Sequence, residues 1–373
     1  MRNRIDGAAA AWAATCLATL ALAGCGSGSD GPGPVAATPT APAPPPAPTV
    51  PTVPAAPKVI ASALKAPWSI AFHGSTPLVS ERDTDRILAL DAAGTPTVVA
   101  TIAGVDGAGE GGLLGIAVHD GYLYAYSTAG ASNRIQRFRI DGTAPALRLG
   151  PAETILTGIP AAGIHNGGRL AFGPDGMLYA TAGDAGNTAR AQDLASLSGK
   201  ILRMTPGGAV PADNPFPGSH VYSYGHRNPQ GLAWGGDGTM YASEFGQNTW
   251  DELNIIRKGG NYGWPTVEGR AGDARFIDPV QQWATADASP SGMAFSDGNL
   301  YIANLRGQRI RQIAVVTPGS ATDLFVGQYG RLRDVVAAPD GTLWMLTNNT
   351  DGRGTPGAGD DRIVSFPPAA LTR

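Results

Sequence analysis

Apolar residues along most of the chain alternate with polar ones in short runs, and a turn that contains glycine bounds each run. A repeat of two residues is typical of a β-strand with one buried face, whereas an amphipathic helix repeats every 3.6 residues. No stretch after residue 57 sustains the helical repeat. The pattern predicts a body built almost wholly from β-strands, in which helices are minor.

One strand–turn–strand unit recurs six times along this body. Turns such as Pro174-Asp175-Gly176 and Asp297-Gly298 are typical of β-hairpins. The six copies pair residues 69–72 with 78–79, 116–118 with 123–124, 170–172 with 178–179, 232–234 with 240–241, 293–295 with 300–301 and 335–337 with 343–344.

The length of the body fits this repeat. Residues 58–373 divide into six units of about 53 residues, which is enough for four short strands and their loops. We therefore predict an all-β fold, a six-bladed β-propeller. A two-sheet sandwich is the alternative, but a sandwich has no reason to repeat one hairpin six times.

Composition and charge exclude several classes of protein. The chain is 43% hydrophobic and 15% charged, with a formal net charge of −3, so it is neither a coiled coil nor a nucleic-acid binder that relies on bulk positive charge. Its two cysteines, Cys16 and Cys25, both lie near the N-terminus. The body therefore has no disulfide, no thiolate metal site and no cysteine nucleophile.

The first 57 residues differ from the body. Arg2 and Arg4 precede an apolar run over residues 8–22, which predicts an export signal over residues 1–24. Residues 22–25, Leu-Ala-Gly-Cys, resemble the lipobox of bacterial lipoproteins, which implies acylation of Cys25; an ordinary cleaved signal is the alternative. By analogy with bacterial lipoproteins, Gly26 after the cysteine favours the outer membrane, with the protein facing the periplasm. Residues 25–57, rich in Pro and Ala, are expected to form a tether. The lipid on Cys25 is the only membrane attachment that we expect.

Charged residues fall at equivalent ends of the predicted blades. The residue before the first strand of a hairpin and the residue after its second strand lie at the same end, and six blades around one axis bring these ends together. A set of residues shares this placement: Glu110, His165, Asp184, Arg227, Glu244, Arg306, Arg331 and Arg333. We expect these side chains to meet at the mouth of the central channel.

The arginines in this set predict the charge of the ligand. A single arginine at a blade end is more often part of a salt bridge than a ligand contact. Arg227, Arg306, Arg331 and Arg333 come from different positions around the ring and together favour a compact polyanion. His165 and Asp184 flank the two strands of one hairpin, so the carboxylate is expected to orient a general-base imidazole.

A polar loop follows one predicted strand over residues 243–252. It is rich in oxygen atoms and has no cysteine, which suits Ca²⁺ bound through backbone carbonyls and Glu252. A solvated loop without a metal is equally consistent with these residues.

Several motifs carry a resemblance to a known family. They are residues 109–115 (GEGGLLG), 165–170 (HNGGRL), 225–231 (GHRNPQG), 251–254 (DELN), 259–265 (GGNYGWP) and 331–335 (RLRDV). In this order they resemble the soluble quinoprotein sugar dehydrogenases of the glucose/sorbosone and aldose sugar dehydrogenase type. These are six-bladed propellers that use pyrroloquinoline quinone (PQQ) and Ca²⁺.

The resemblance implies a role for each site residue. PQQ, which carries three carboxylic acids, would be held by Arg227, Asn228, Arg306, Arg331 and Arg333. Glu110 stands where the glucose enzymes have an amide that contacts PQQ, and a carboxylate there needs a proton or an arginine partner. His165 would take the proton of the anomeric hydroxyl of an aldose, with Asp184 orienting its ring, and a lactone would result.

The resemblance also implies metal sites and leaves other functions open. Backbone oxygens of Gly246 and Gln247 would bind Ca²⁺, and a second Ca²⁺ would lie near Glu252, the Tyr262 carbonyl and Asp273. The sequence does not identify the electron acceptor. A metal-dependent lactonase and a non-catalytic binding propeller are the alternatives; the His165 and Asp184 pair together with the arginines favours the dehydrogenase.

Overall fold

The protein, as a computed structural model, is described over residues 56–368, which form six antiparallel sheets. The predicted six-bladed β-propeller is confirmed. The predicted export signal, Cys25 and nearly all of the predicted tether lie outside the described residues. Within residues 56–368 no helix is long and apolar enough to cross a membrane. Residues Thr188–Ala191 form a 3₁₀ turn.

Each blade is an antiparallel meander of four principal strands, and the first strands of neighbouring blades contact one another. Strand β1 (Lys58–Ala61) belongs to the last blade. The first blade contains β2 (Pro67–His73), β3 (Thr76–Glu81), β4 (Arg86–Leu90) and β5 (Pro96–Thr101). The second contains β6 (Leu113–His119), β7 (Tyr122–Ala129), β8 (Ser132–Asp141), the short β9 (Arg148–Leu149) and β10 (Glu153–Pro160).

The remaining blades follow in chain order. The third contains β11 (Leu170–Phe172), β12 (Leu178–Ala182), β13 (Lys200–Met204) and β14 (Val221–Tyr224). The fourth contains β15 (Pro229–Trp234), β16 (Met240–Glu244), β17 (Trp250–Ile256) and β18 (Gln281–Ala284). The fifth contains β19 (Pro290–Ser296), β20 (Asn299–Asn304), β21 (Arg309–Ala314) and β22 (Thr322–Leu324). The last contains β23 (Leu332–Ala337), β24 (Leu343–Thr347), β25 (Ile363–Phe366) and β1.

All six predicted hairpins are the first two strands of a blade. In the third blade Ala171 lies opposite Tyr179, so a small side chain faces an aromatic one across the strand pair. The turn between these strands is stabilised by Asp175, whose Oδ1 accepts a hydrogen bond from Met177 N at 3.1 Å. Gly176 in the same turn has φ +72°, a left-handed conformation that glycine adopts without steric cost.

The hydrophobic core is divided among the six contacts between neighbouring blades. Between the second and third blades, Tyr124, Tyr126, Leu178 and Leu202 are almost completely buried. Each such side chain contributes about 1.5–3 kcal/mol relative to an exposed one. These contacts fix each blade against its neighbours and so hold the loops at the blade ends in place.

The ring is closed by a strand from the start of the propeller. Strand β1 pairs antiparallel with β25, and Val59 lies opposite Val364. The last blade therefore combines strands from both ends of the described chain. The hairpin repeat does not reveal this closure, because β1 is a single short strand without a partner nearby in sequence.

Candidate active site

Loops at one end of several blades surround a cavity of about 300 Å³. The structure brings eight of the sequence-predicted residues to its wall: Glu110, His165, Arg227, Asn228, Gly246, Gln247, Arg306 and Arg331. They come from loops that are far apart in sequence. The loops at the blade ends therefore bring these residues together around one cavity, as the propeller geometry predicted.

The wall of the cavity is cationic. Arg227, Arg306, Arg331 and Arg353 face two carboxylates, those of Glu110 and Asp251. Arg353 was missed by sequence reasoning, although it lies in the loop after β24, at a blade end like the others. Burial raises the pKa of Asp251 to about 6. Hydrogen bonds from Ser289 N and Gly246 N act in the opposite direction but do not outweigh burial. This arrangement favours an anionic ligand.

Three buried polar atoms on this wall have no hydrogen-bond partner within the described chain: Arg227 Nε, Asn228 Nδ2 and Arg331 Nε. All three are donors, and buried donors are nearly always satisfied in folded proteins. Asn228 is held by its other amide atom, since Oδ1 accepts from Gly167 N at 3.0 Å. Residues that present unused donors around a cationic cavity fit a ligand rich in carboxylate oxygens.

Arg333 occupies a different place from the one the resemblance implied. It is 5% exposed and does not line the cavity. Its Nη2 donates to Asn348 Oδ1 at 2.9 Å, and its Nη1 donates to Gln230 Oε1 at 2.9 Å. Burial lowers the pKa of Arg333, and the nearby charge of Asp351 partly offsets this effect. Arg333 therefore adds positive charge from behind the wall.

Asp351 also was missed by sequence reasoning, and it compensates part of the cationic charge. Its Oδ2 lies 3.1 Å from Arg331 Nη2 and 3.7 Å from Arg333 Nη2. Burial on its own would raise the pKa of Asp351, but the two arginines outweigh it and the pKa lies below its ordinary value. The carboxylate is thus ionised and orients Arg331.

His165 and Asp184 form the predicted pair. His165 Nδ1 lies 2.7 Å from Asp184 Oδ1, and the two side chains are 13% and 0% exposed. Asp184 also accepts hydrogen bonds from Gly186 N and from Trp264 Nε1, at 2.8 and 2.9 Å. Burial would raise the pKa of Asp184, but the hydrogen bond to His165 and the other donors lower it overall. An ionised Asp184 can only accept a hydrogen bond, so His165 carries its proton on Nδ1 and donates it to the carboxylate. Nε2 of the neutral ring is then the atom that can accept a proton.

The backbone around this pair leaves no space for a side chain at Gly183. A methyl group at that position would overlap the His165 carbonyl oxygen. Trp264, which belongs to the 259–265 motif, was not predicted as a site residue, and only its place in that motif signalled its importance. The close approach of these loops explains why small residues surround the histidine.

The loop after β16 presents free carbonyl oxygens. Glu268 Oε1 accepts hydrogen bonds from Gln247 N at 2.6 Å and from the next three backbone N–H groups, and Asp251 Oδ1 accepts from Gly246 N at 2.8 Å. Within residues 56–368 the carbonyl oxygens of Gly246 and Gln247 accept no hydrogen bond. Glu268 was not predicted, since it lies well outside the loop in sequence. This arrangement fits a hard cation bound by backbone oxygens.

A second, much smaller cavity of about 10 Å³ lies nearby and is lined by Glu244, Glu252, Tyr262 and Glu268, among others. Burial and the charge of Glu244 raise the pKa of Glu252 to about 8. Asp273 is not in this lining; its Oδ2 pairs with Arg275 Nη2 at 2.6 Å. In the described residues no group of three or more His, Cys, Asp or Glu side chains has the arrangement of a metal site.

Fold and site together define a propeller enzyme with an anion-binding cavity beside a histidine–aspartate pair. Residues 64–355 match the family described as Glucose / Sorbosone dehydrogenase. The chain belongs to this family and is an oxidoreductase, which confirms the resemblance carried by the motifs.

Individual relatives agree with this assignment. The PQQ-bound form of the aldose sugar dehydrogenase from Streptomyces coelicolor is 49% identical, with a TM-score of 0.80 over 84% of this chain and 98% of that one. The aldose sugar dehydrogenase of Escherichia coli strain K12 is 29% identical over 79% of this chain and 90% of its own length. Quinoprotein glucose dehydrogenase B of Acinetobacter calcoaceticus is 34% identical over 59% of this chain and 54% of its own length.

Proposed function

We propose that this protein is a quinoprotein aldose dehydrogenase, which uses PQQ and Ca²⁺ to oxidise the anomeric carbon of an aldose to a lactone. The observation that carries the proposal is the His165–Asp184 pair at the wall of an arginine-lined cavity. The PQQ-bound relative at 49% identity supports the choice of cofactor.

The residues of the cavity match the chemistry of PQQ. Its three carboxylates would lie among Arg227, Arg306 and Arg331, with Asn228 Nδ2 as a further donor and Arg333 contributing charge from behind. When bound, PQQ supplies an electron-accepting quinone that can take a hydride. Ca²⁺ would bind the free carbonyl oxygens of Gly246 and Gln247. A second Ca²⁺ would bind near Glu252 and the Tyr262 carbonyl.

His165 performs the proton transfer in this proposal. Its Nε2 takes the proton of the anomeric hydroxyl, while the hydrogen on the same carbon leaves with its electron pair and the C=O bond of the lactone forms. The ionised Asp184 stabilises the resulting imidazolium and keeps the ring in one orientation. An external electron acceptor would be needed to complete each turnover.

The test is a dye-reduction assay on protein expressed without PQQ, with PQQ and Ca²⁺ added together and separately across a panel of aldoses. We expect activity only when both are added, and a lactone as the product. A protein that binds PQQ in titrations yet oxidises none of the sugars would contradict the assigned reaction. A protein that binds no PQQ would favour a non-catalytic propeller.

The general base has its own test in His165→Ala. We expect kcat to fall about 100-fold or more, while PQQ binding stays within a few-fold of the wild type, because the imidazole moves a proton and does not anchor the cofactor. His73→Ala, a change outside the cavity wall, serves as the control and should retain full activity. Retained activity in His165→Ala would remove this residue from the mechanism.

We also propose that the protein is exported and anchored by a lipid on Cys25, facing the periplasm from the outer membrane. The support comes from residues 1–26 of the sequence, as described above.

A further inference from the structure

The main-chain conformation of His165 is unusual. Its φ is +57°, in the left-handed region that residues with a side chain rarely adopt, so neighbouring groups have to hold it. The His165 carbonyl oxygen accepts a hydrogen bond from Ala185 N at 3.2 Å. The imidazole is bound to Asp184. The remaining attachment, at the His165 N–H, comes from a different blade.

That attachment is the carboxylate of Glu110. Its Oε2 accepts a hydrogen bond from His165 N at 2.8 Å, across 55 residues of sequence. Its Oε1 lies 2.9 Å from Arg353 Nη1, in a loop of the last blade. Glu110 is itself held near His165, because its backbone N–H donates to Gly163 O at 3.0 Å. Both carboxylate oxygens are therefore engaged within the protein.

The charge state of Glu110 suits this arrangement. Burial on its own would raise its pKa, but the hydrogen bond from His165 N and the ion pair with Arg353 outweigh burial, and the pKa lies below its ordinary value. The arginine partner that a carboxylate needs beside a polyanion is thus Arg353. This geometry differs from the direct PQQ contact that the resemblance implies for position 110.

We propose that Glu110 is a positioning residue that holds the His165 main chain in its left-handed conformation and so presents Nε2 to the substrate, with Arg353 fixing the carboxylate. The inference rests on the proposed role of His165 as the base. A displacement of about 1 Å in a catalytic group can cost about 100-fold in rate, so loss of this contact should appear in kcat.

The test compares Glu110→Ala, which removes the acceptor, with Glu110→Gln, which keeps one oxygen for the His165 N–H. At saturating PQQ we expect kcat to fall about 10- to 100-fold in Glu110→Ala with KM within about threefold, and to fall less than about fivefold in Glu110→Gln. Glu153→Ala is the matched control, because Glu153 forms a similar pair with Arg137 at 2.8 Å outside the cavity wall. It should not change kcat.

A second readout needs neither PQQ nor turnover. The chain has five histidines, so selective ¹⁵N-histidine labelling gives few signals, and His165→Ala identifies those of His165. In the cofactor-free protein, Glu110→Ala should shift the His165 amide and imidazole signals, whereas Glu110→Gln should largely preserve them. Thermal melting checks that each variant is folded.

Two results would contradict the proposals, one for the positioning role of Glu110 and one for the role of His165 as the base. If Glu110→Ala weakens PQQ binding about tenfold but leaves kcat at saturating PQQ and the His165 signals unchanged, Glu110 is a cofactor contact and the positioning role is wrong. If His165→Ala keeps full activity, the proposed base fails instead. The His165 amide signal in Glu110→Ala distinguishes these failures, because it reports the contact whatever the reaction is.

Discussion

At the scale of single residues, the site works through compensated charges. Three carboxylates near the cavity have partners that favour the ionised form: Asp184 has His165, Asp351 has Arg331, and Glu110 has Arg353. These pairs reduce repulsion against an anionic ligand, while Arg227 Nε and Arg331 Nε stay without a partner in the described chain. Sequence reasoning identified the histidine pair and three of the four arginines of the cavity wall. It missed Arg353 and could not assign these partners, because pairing depends on the conformations of several loops.

Asp184 yields a prediction for stability against pH. Its pKa in the folded protein lies below the ordinary 3.8, so its contribution is fully present above about pH 3.8 and is lost as the pH falls through the lower folded value. Asp184→Asn should lower the free energy of unfolding by about 1.5–3 kcal/mol at pH 7, since an amide cannot accept from all three donors. Urea unfolding at pH 7 and near pH 3 measures this. A difference between the two proteins that did not shrink at the lower pH would contradict it.

At the scale of elements, the loop after β16 shows how distant residues shape a short segment. The sequence of this loop is equally consistent with Ca²⁺ binding and with a solvated loop that holds no metal. The structure adds Glu268, which collects four consecutive backbone N–H groups and leaves the carbonyls of Gly246 and Gln247 free. The loop is therefore shaped by a residue that follows it by about twenty positions.

Glu268→Ala tests the proposed Ca²⁺ site through this loop. Without the carboxylate the loop loses its main anchor, and we expect the Ca²⁺ concentration that restores half-maximal PQQ-dependent activity to rise about 10-fold or more, as is usual when residues that support metal ligands are lost. Asp91→Ala is the control, since Asp91 accepts two turn N–H groups outside the cavity. An unchanged Ca²⁺ requirement in Glu268→Ala would remove this loop from metal binding.

At the scale of the whole molecule, the ring determines which loops meet. Six blades packed through six hydrophobic contacts bring residues 110, 165, 227, 306 and 331 to one cavity, although they span most of the propeller sequence. Closure by β1 holds the first and last blades together. Because Glu110 and Arg353 come from different blades, their ion pair also depends on this closure.

The proposed lipid anchor is tested on the whole protein. Cys25→Ser should abolish incorporation of radiolabelled palmitate and move the protein from the membrane fraction to the soluble fraction, with sugar oxidation unchanged. Cys16→Ser, which alters the cysteine within the predicted export signal, should behave like the wild type. Labelling that persists in Cys25→Ser would contradict acylation at that residue.

The sequence alone determined the six hairpins, the propeller and the family, because alternation, turn residues and motifs are local properties that survive without coordinates. It also predicted that His165, Asp184, Arg227, Arg306 and Arg331 gather at one end of the ring. Only the tertiary structure decided that Arg333 lies behind the wall, that Asp273 pairs with Arg275 away from Glu252, and that Glu110 binds the His165 main chain. These outcomes depend on loop conformations and on contacts between distant blades. The sequence offers many possible partners for each charged side chain and gives no means of choosing among them.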